Sequence, residues 1–131
     1  MIRQLPGSVG YIELIYALQN KIPYGTVQNS SKQFVKASLE STTAAAAGVK
    51  MPADFRVSIT NPSGKNAYPI ASFTWLLIPI QPKDANKGKI IKDFLGWMLD
   101  NGQGMVEQLS YAKLPSDVVA AEKAAISKQL K

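Results

Sequence analysis

An α/β fold, with a mixed sheet and flanking helices, is predicted by three features of this 131-residue sequence. Its first half carries short runs of strand-forming residues separated by turn residues. The run "YPIASFTWLLIPI", residues 68–80, ends apolar on both faces, as a strand covered on both sides does. From Asp84 onward the apolar residues recur at helical spacing, with no further strand to follow.

The elements follow in order. "LPGSVGY" reads as a turn into a short strand: Pro6 presets φ, Gly7 takes the positive φ, and Gly10 marks a close backbone approach. From Glu13 to Asn20 the pattern is helical, with Leu14, Ile15 and Leu18 on one face and Pro23 blocking continuation. "YGTVQNSSKQFVKAS" reads as a hairpin around Asn29, Ser30, Ser31 and Lys32. "SLESTTAAAAGV" offers Ser38 or Ser41 as an N-cap, an alanine run of high helix propensity, and Gly48 as a C′ stop. So thin a side-chain layer implies a helix lying close against its neighbour.

"FRVSIT" alternates as a half-buried strand does, and "NPSGKN" is a turn-forming loop. The next run is expected to be the central strand, with Phe73, Trp75, Leu76, Leu77 and Ile78 contributing about 8–15 kcal/mol of gross burial at ~1.5–3 kcal/mol each. Ile90, Ile91, Phe94, Leu95 and Met98 form one broad helical stripe. "DNGQG" breaks that helix, and a short helix carries Met105, Val106 and Leu109. Ser116 is placed to cap a last helix, with Asp117 in its first turn and Lys128 and Lys131 in its last, as the helix dipole favours. About five strands are expected, the strongest of them late, and the helices after it lack strands to cover them. A complete doubly wound domain alternates the two to its end.

Composition narrows the chemistry. Hydrophobic residues make up 46% and charged ones 18%, a globular balance. A chain of this length buries roughly two-thirds of its unfolded surface, enough for one core. With no cysteine and no histidine, thiol catalysis, Ser-His-Asp triads and the common zinc sites are excluded. The nine carboxylates are scattered, so no catalytic residue, metal ligand or cofactor is assigned and an enzyme is not expected. The net charge of +6 comes from thirteen lysines and two arginines, Arg3 and Arg56. Dispersed lysines make a solvated basic surface, whereas nucleic-acid sites lean on arginine forks and interleaved aromatics. Neither nucleic-acid binding nor membrane insertion is expected: the longest apolar run, "WLLIPI", is far below the ~18 residues of a membrane helix. The start of the chain has no signal-peptide pattern. "GQG" follows a helix and lacks the other glycines of a phosphate-cradling loop, so it reads as a helix–helix break.

Three separated stretches, "LPGSVGYIELIYALQNKIPY", "FRVSITNPSGKNAYPIASFTWLLI" and "LSYAKLPSDVV", together resemble successive segments of the phosphate-binding proteins of phosphate ABC transporters. The resemblance implies part of a two-lobed periplasmic-binding-protein fold of type II, the C-terminal part only. Residues 1–66 would belong to the second lobe, and 67–131 would supply a hinge strand and the C-terminal helices of the first. It implies inorganic phosphate and a transporter permease as partners, and a periplasmic or cell-surface location. The family's phosphate ligands lie in a Thr-Phe-type turn, a serine at a helix start, an aspartate and an Arg…Ser-Gly-Thr loop, none of which this sequence contains, so no phosphate ligand is identified. Gly7, Ser8, Ser72 and Thr74 are the residues expected nearest the cleft, although turn glycine, capping serine and strand hydroxyl are the plainer roles for them. A different class of function remains open beside this one: a self-associating interaction protein, two copies of which exchange strands as a homodimer without binding a ligand.

Overall fold

The computed structural model describes residues 4–130. In order it contains α1 (Leu14–Gln19), β1 (Thr26–Gln28), β2 (Phe34–Lys36), α2 (Leu39–Ala47), α3 (Ala85–Asp100), two 3₁₀ turns (Gly102–Gly104 and Val106–Leu109) and α4 (Ser116–Gln129). The chain is thus a small α/β structure whose one sheet among the described residues is the two-stranded antiparallel pair β1–β2. Among the described residues the larger mixed sheet expected from the sequence is not present.

The hairpin forms where its turn residues lie. Thr26 faces Lys36, Val27 faces Val35 and Gln28 faces Phe34. Lys32 takes a left-handed φ of 61°, and the Asn29 and Lys32 backbone amides close the turn at 2.9 Å each, onto Gln33 O and Asn29 O. Asn29, only 3% exposed, is the tie between this hairpin and the distant loop at 61–69. Its Oδ1 accepts from the amides of Ser31 and Gln33, both at 3.0 Å, while Nδ2 donates to the carbonyls of Gly64, Lys65 and Ala67 at 3.1, 2.9 and 3.1 Å. A carboxamide suits this place because it both accepts and donates.

Ser38 caps α2, and Ser41 replies as the third helical residue: Ser38 Oγ accepts from Ser41 N at 3.1 Å, and Ser41 Oγ accepts from Ser38 N at 2.9 Å. Ala45 and Ala46 are buried, the close approach that the alanine run implies. The helix stops at Gly48 without a left-handed cap: Gly48 has φ −87°, and its α-carbon lies beside Ser63, whose backbone oxygen a β-carbon there would meet at 3.4 Å. The returning segment is held by Tyr68 N on Ser41 O at 3.0 Å, with Ile59 and Ala67 buried beneath.

Other elements depart from expectation. Gly7 does take a positive φ of 80° in its turn, but no strand follows, and Val9 and Tyr11 stand almost fully exposed. In α1 the buried residue is Ala17, and Leu18 is exposed. "FRVSIT" and "YPIASFTWLLIPI" are not strands: no backbone–backbone hydrogen bond joins residues 56–60 or 70–83 to anything among the described residues. The supposed central strand is open to water, with Leu77 94% exposed. A strand exists through its neighbour's backbone, and neither run has one.

Asp84 caps α3, its Oδ1 accepting from the amides of Asn86 and Lys87 at 2.9 and 3.3 Å. The broad stripe of this helix divides. Leu95 and Leu99 are buried and Ile91 and Met98 half-buried, whereas Ile90, Phe94 and Trp97 are exposed, the last two rings stacked at 6.1 Å. "GQG" is itself a 3₁₀ turn, and a second, Val106–Leu109, stands where a short helix was expected, leaving Met105 and Leu109 exposed, with Ser110 at φ 60° after it. The cap position of α4 is Pro115 and Ser116 is already helical; no side chain caps this end. Asp117 and Lys128 sit where the dipole favours them, and Lys131 lies outside the described residues. Val118 and Leu130 are buried, Lys92 Nζ donates to Leu130 O at 3.1 Å, and Lys123 pairs with Asp100, fastening α4 to α3.

Candidate functional site

One concavity is a trough of about 760 Å³. It is lined by residues 54–58, by residues 73–78 and, from α3 and α4, by Leu95, Met98, Leu99, Ala125 and Ile126. Both runs that the sequence marks as strands therefore border it. Phe55 takes a left-handed φ of 59°, its amide donating to Pro52 O at 3.0 Å, and residues 56–59 and 71–79 continue without a turn or bend. Phe73 and Trp75 meet edge to face at 5.7 Å.

The charged groups of the trough are few. Arg56 Nε donates to Asp54 Oδ2 at 2.9 Å and its amide to Asp54 Oδ1 at 3.2 Å. The Arg56 guanidinium beside it, with the Arg56 amide, holds the Asp54 carboxyl below the ordinary carboxylate range. Arg56 is 85% exposed in its side chain, so its charge is spent on a solvated pair. Glu122 has no hydrogen-bond or ion-pair partner among the described residues, and burial alone pushes its carboxyl pKa up. An apolar wall with a lone carboxylate disfavours an anion. A tightly held oxyanion needs converging amides, hydroxyls and guanidinium groups.

The residues that the sequence placed nearest a cleft are not gathered here. Thr74 lines the trough and is exposed; Ser72 is exposed, its hydroxyl donating to Phe73 O at 3.1 Å. Gly7 is in its exposed turn, where Ser8 N donates to Leu5 O at 3.1 Å, and neither Gly7 nor Ser8 borders the trough. Sequence reasoning did not single out Glu122, and a lone glutamate on a helix gives no signal by spacing. A second, shallower concavity lies beside the start of α2, between Lys36, Ser38, Glu40 and Lys65. Its helix amides are already capped by serine, and the Glu40 carboxylate repels anions. Among the described residues no group of His, Cys, Asp and Glu is placed to hold a metal ion, and no helix is long and apolar enough to cross a membrane.

No protein-family model matches the chain. Over 120 residues, 90% of its length, it is 42% identical to the phosphate-binding protein PstS of Xylella fastidiosa, of which it spans 33%. It is 33% identical over 132 residues, 99% of its length, to the protein of the same name from Haemophilus influenzae, covering 40% of that relative. The corresponding archaeal protein, from Methanocaldococcus jannaschii, is 36% identical over 138 aligned residues, with 34% of its length covered. The chain thus spans about a third of the length of the curated relatives it matches.

Proposed function

We propose, from this kinship with the PstS phosphate-binding proteins, that the chain forms one part of a phosphate-binding component of a phosphate ABC transporter. It corresponds to the C-terminal part of the relatives, and its role is binding and delivery, without catalysis. In this reading the rest of the protein supplies the phosphate ligands, the complete protein works outside the cytoplasmic membrane, and it hands phosphate to the transporter's permease. Residues 1–66 belong to one lobe and 67–131 return to the other, with Gly7, Ser8, Ser72 and Thr74 toward the cleft between them.

The similarity over nine tenths of the chain carries this reading. The local chemistry agrees with it. Arg56 is already paired, the trough is mostly apolar, and a fully charged oxyanion held from one side stays in contact with water.

The test is calorimetric titration of inorganic phosphate. One sample is the chain alone; the other is a chimera in which it replaces the matched 120 residues of the Xylella fastidiosa protein. The expected result is no measurable binding below about 1 mM by the chain alone, a limit of about −4 kcal/mol, and micromolar or tighter binding by the chimera. Micromolar binding by the isolated chain as a monomer overturns the assignment of the ligands to the rest of the protein. A folded chimera that binds no phosphate overturns the phosphate-binding role.

A further inference from the structure

The hairpin turn at 29–33 and the loop at 60–66 are fastened into one tip. Besides the Asn29 carboxamide bonds to the carbonyls of Gly64, Lys65 and Ala67, Ser30 Oγ donates to Pro62 O at 2.7 Å. Three residues of the tip hold left-handed backbone: Lys32 at φ 61°, Asn61 at 49° and Gly64 at 132°. A lysine is strained in that conformation where glycine is not, and such strain persists only where the surroundings impose it. What the lysine adds is charge. Lys32 and Lys65 are exposed, and neither enters an ion pair among the described residues. Residues 14–39 and 55–83 contain no Asp or Glu, so the tip's own segments do not neutralise it. Phe34, 70% exposed, stands beside the turn on β2, and Lys36 lies over the Tyr24 ring at 4.8 Å. Glu40 borders the shallow concavity with Lys36 and Lys65 and pairs with neither, so three lysines stand against one carboxylate. An exposed aromatic side chain ringed by lysines, on backbone ordered in advance, has the makings of an interaction surface.

We infer that this tip is a docking surface for an acidic segment of the transporter's permease. This rests on the reading of the chain as one part of a phosphate-binding protein that delivers to that permease. Charge selects the occupant: Lys32 and Lys65 repel a basic segment, add nothing to the binding of a neutral one and attract an acidic one. A second copy of this basic chain is disfavoured for the same reason. The lysines stand in water, so their attraction acts chiefly on encounter and is screened beyond about 8–10 Å at ordinary ionic strength. A purely structural role for the turn needs the left-handed backbone at Lys32 but not its charge. Glycine there keeps the backbone and removes the charge, whereas arginine keeps both, and this separates the two accounts.

The test is phosphate-stimulated ATP hydrolysis by the Xylella fastidiosa phosphate transporter in phosphatidylcholine proteoliposomes, with the same chimera as the binding protein. Lys32→Glu together with Lys65→Glu is expected to raise the chimera concentration for half-maximal stimulation about tenfold, with phosphate affinity by calorimetry unchanged. Lys32→Gly with Lys65→Gln is expected to raise it about threefold, and Lys32→Arg to leave it as it was. Lys21→Glu is the control: that lysine is also exposed and left-handed, at φ 50°, but lies at the end of α1, and its reversal is expected to change nothing. A change of less than about twofold in the double reversal overturns the inference, as does an equal loss in Lys21→Glu. So does binding to phosphatidylglycerol vesicles that the double reversal abolishes while stimulation stays unchanged, which assigns the tip to lipid. Should the chimera not fold or not bind phosphate, the isolated chain is added as a competitor of the Xylella fastidiosa protein at its transporter. Inhibition that the double reversal removes supports the docking surface, and absence of inhibition overturns it. Calorimetry reads the other question: a folded chimera without phosphate binding removes the phosphate role, and intact phosphate binding with stimulation indifferent to the lysines removes the docking surface alone.

Discussion

Residues 26–69 and residues 70–83 lie next to each other in sequence and solve opposite problems. In the first region polar groups find partners inside the region, some adjacent and some far along it: the Asn29 side chain makes five hydrogen bonds, Ser38 and Ser41 cap α2 reciprocally, and Asn61 N and Tyr68 N donate to Pro69 O and Ser41 O. In the second, fourteen consecutive residues make no backbone–backbone hydrogen bond among the described residues, and Ile70, Trp75, Leu76, Leu77 and Ile80 are exposed. The second region has the more hydrophobic sequence. Hydrophobicity alone therefore does not bury a segment; a surface must be there to receive it. Residues 26–69 contain the partners for their buried polar groups, and residues 70–83 meet no backbone partner among the described residues.

The contrast can be broken first at Asn29. Asn29→Ala leaves the carbonyls of Gly64, Lys65 and Ala67 and the amides of Ser31 and Gln33 without this partner. The expected loss is about 2–3 kcal/mol, read as a lower urea midpoint. Glu122→Gln tests the wall shared by trough and helices. Burial raises the Glu122 pKa above its ordinary 4.5, so the folded state binds this proton more tightly than the unfolded state does. Stability then falls as pH rises from 4.5 through the folded-state pKa, and the penalty is fully present above it. The neutral variant is expected to melt higher at pH 7, with the difference fading below pH 4.5. Leu77→Ala gives the smallest effect. In the isolated chain the side chain is 94% exposed, so its truncation is expected to change stability by less than about 0.5 kcal/mol by denaturant titration.

Much of the first region was legible in advance because its signals are local. The hairpin turn at Asn29–Lys32, the Ser38 cap and the stop at Gly48 each depend on residues a few positions apart. The neighbour of Gly48 was not legible, since Ser63 lies fifteen positions on. The stripe of α3 was misread for a similar reason. Periodicity reports that Ile90, Phe94 and Trp97 share a face with one another, not that a partner covers it. As for the site, the sequence marked the two runs that border the trough but took them for paired strands. The Asp54–Arg56 pair and the solitary Glu122 became visible only in three dimensions.

By itself the sequence determined the α/β character, the hairpin, the helical C-terminal half and the kinship with phosphate-binding proteins. Each of these is written in spacing or residue order within one chain. Tertiary structure decided that residues 54–58 and 73–78 border one apolar trough without pairing across it. The physical reason is that a β-strand is a relation between two backbones. A single chain's pattern can announce the need for a second backbone without saying where it comes from.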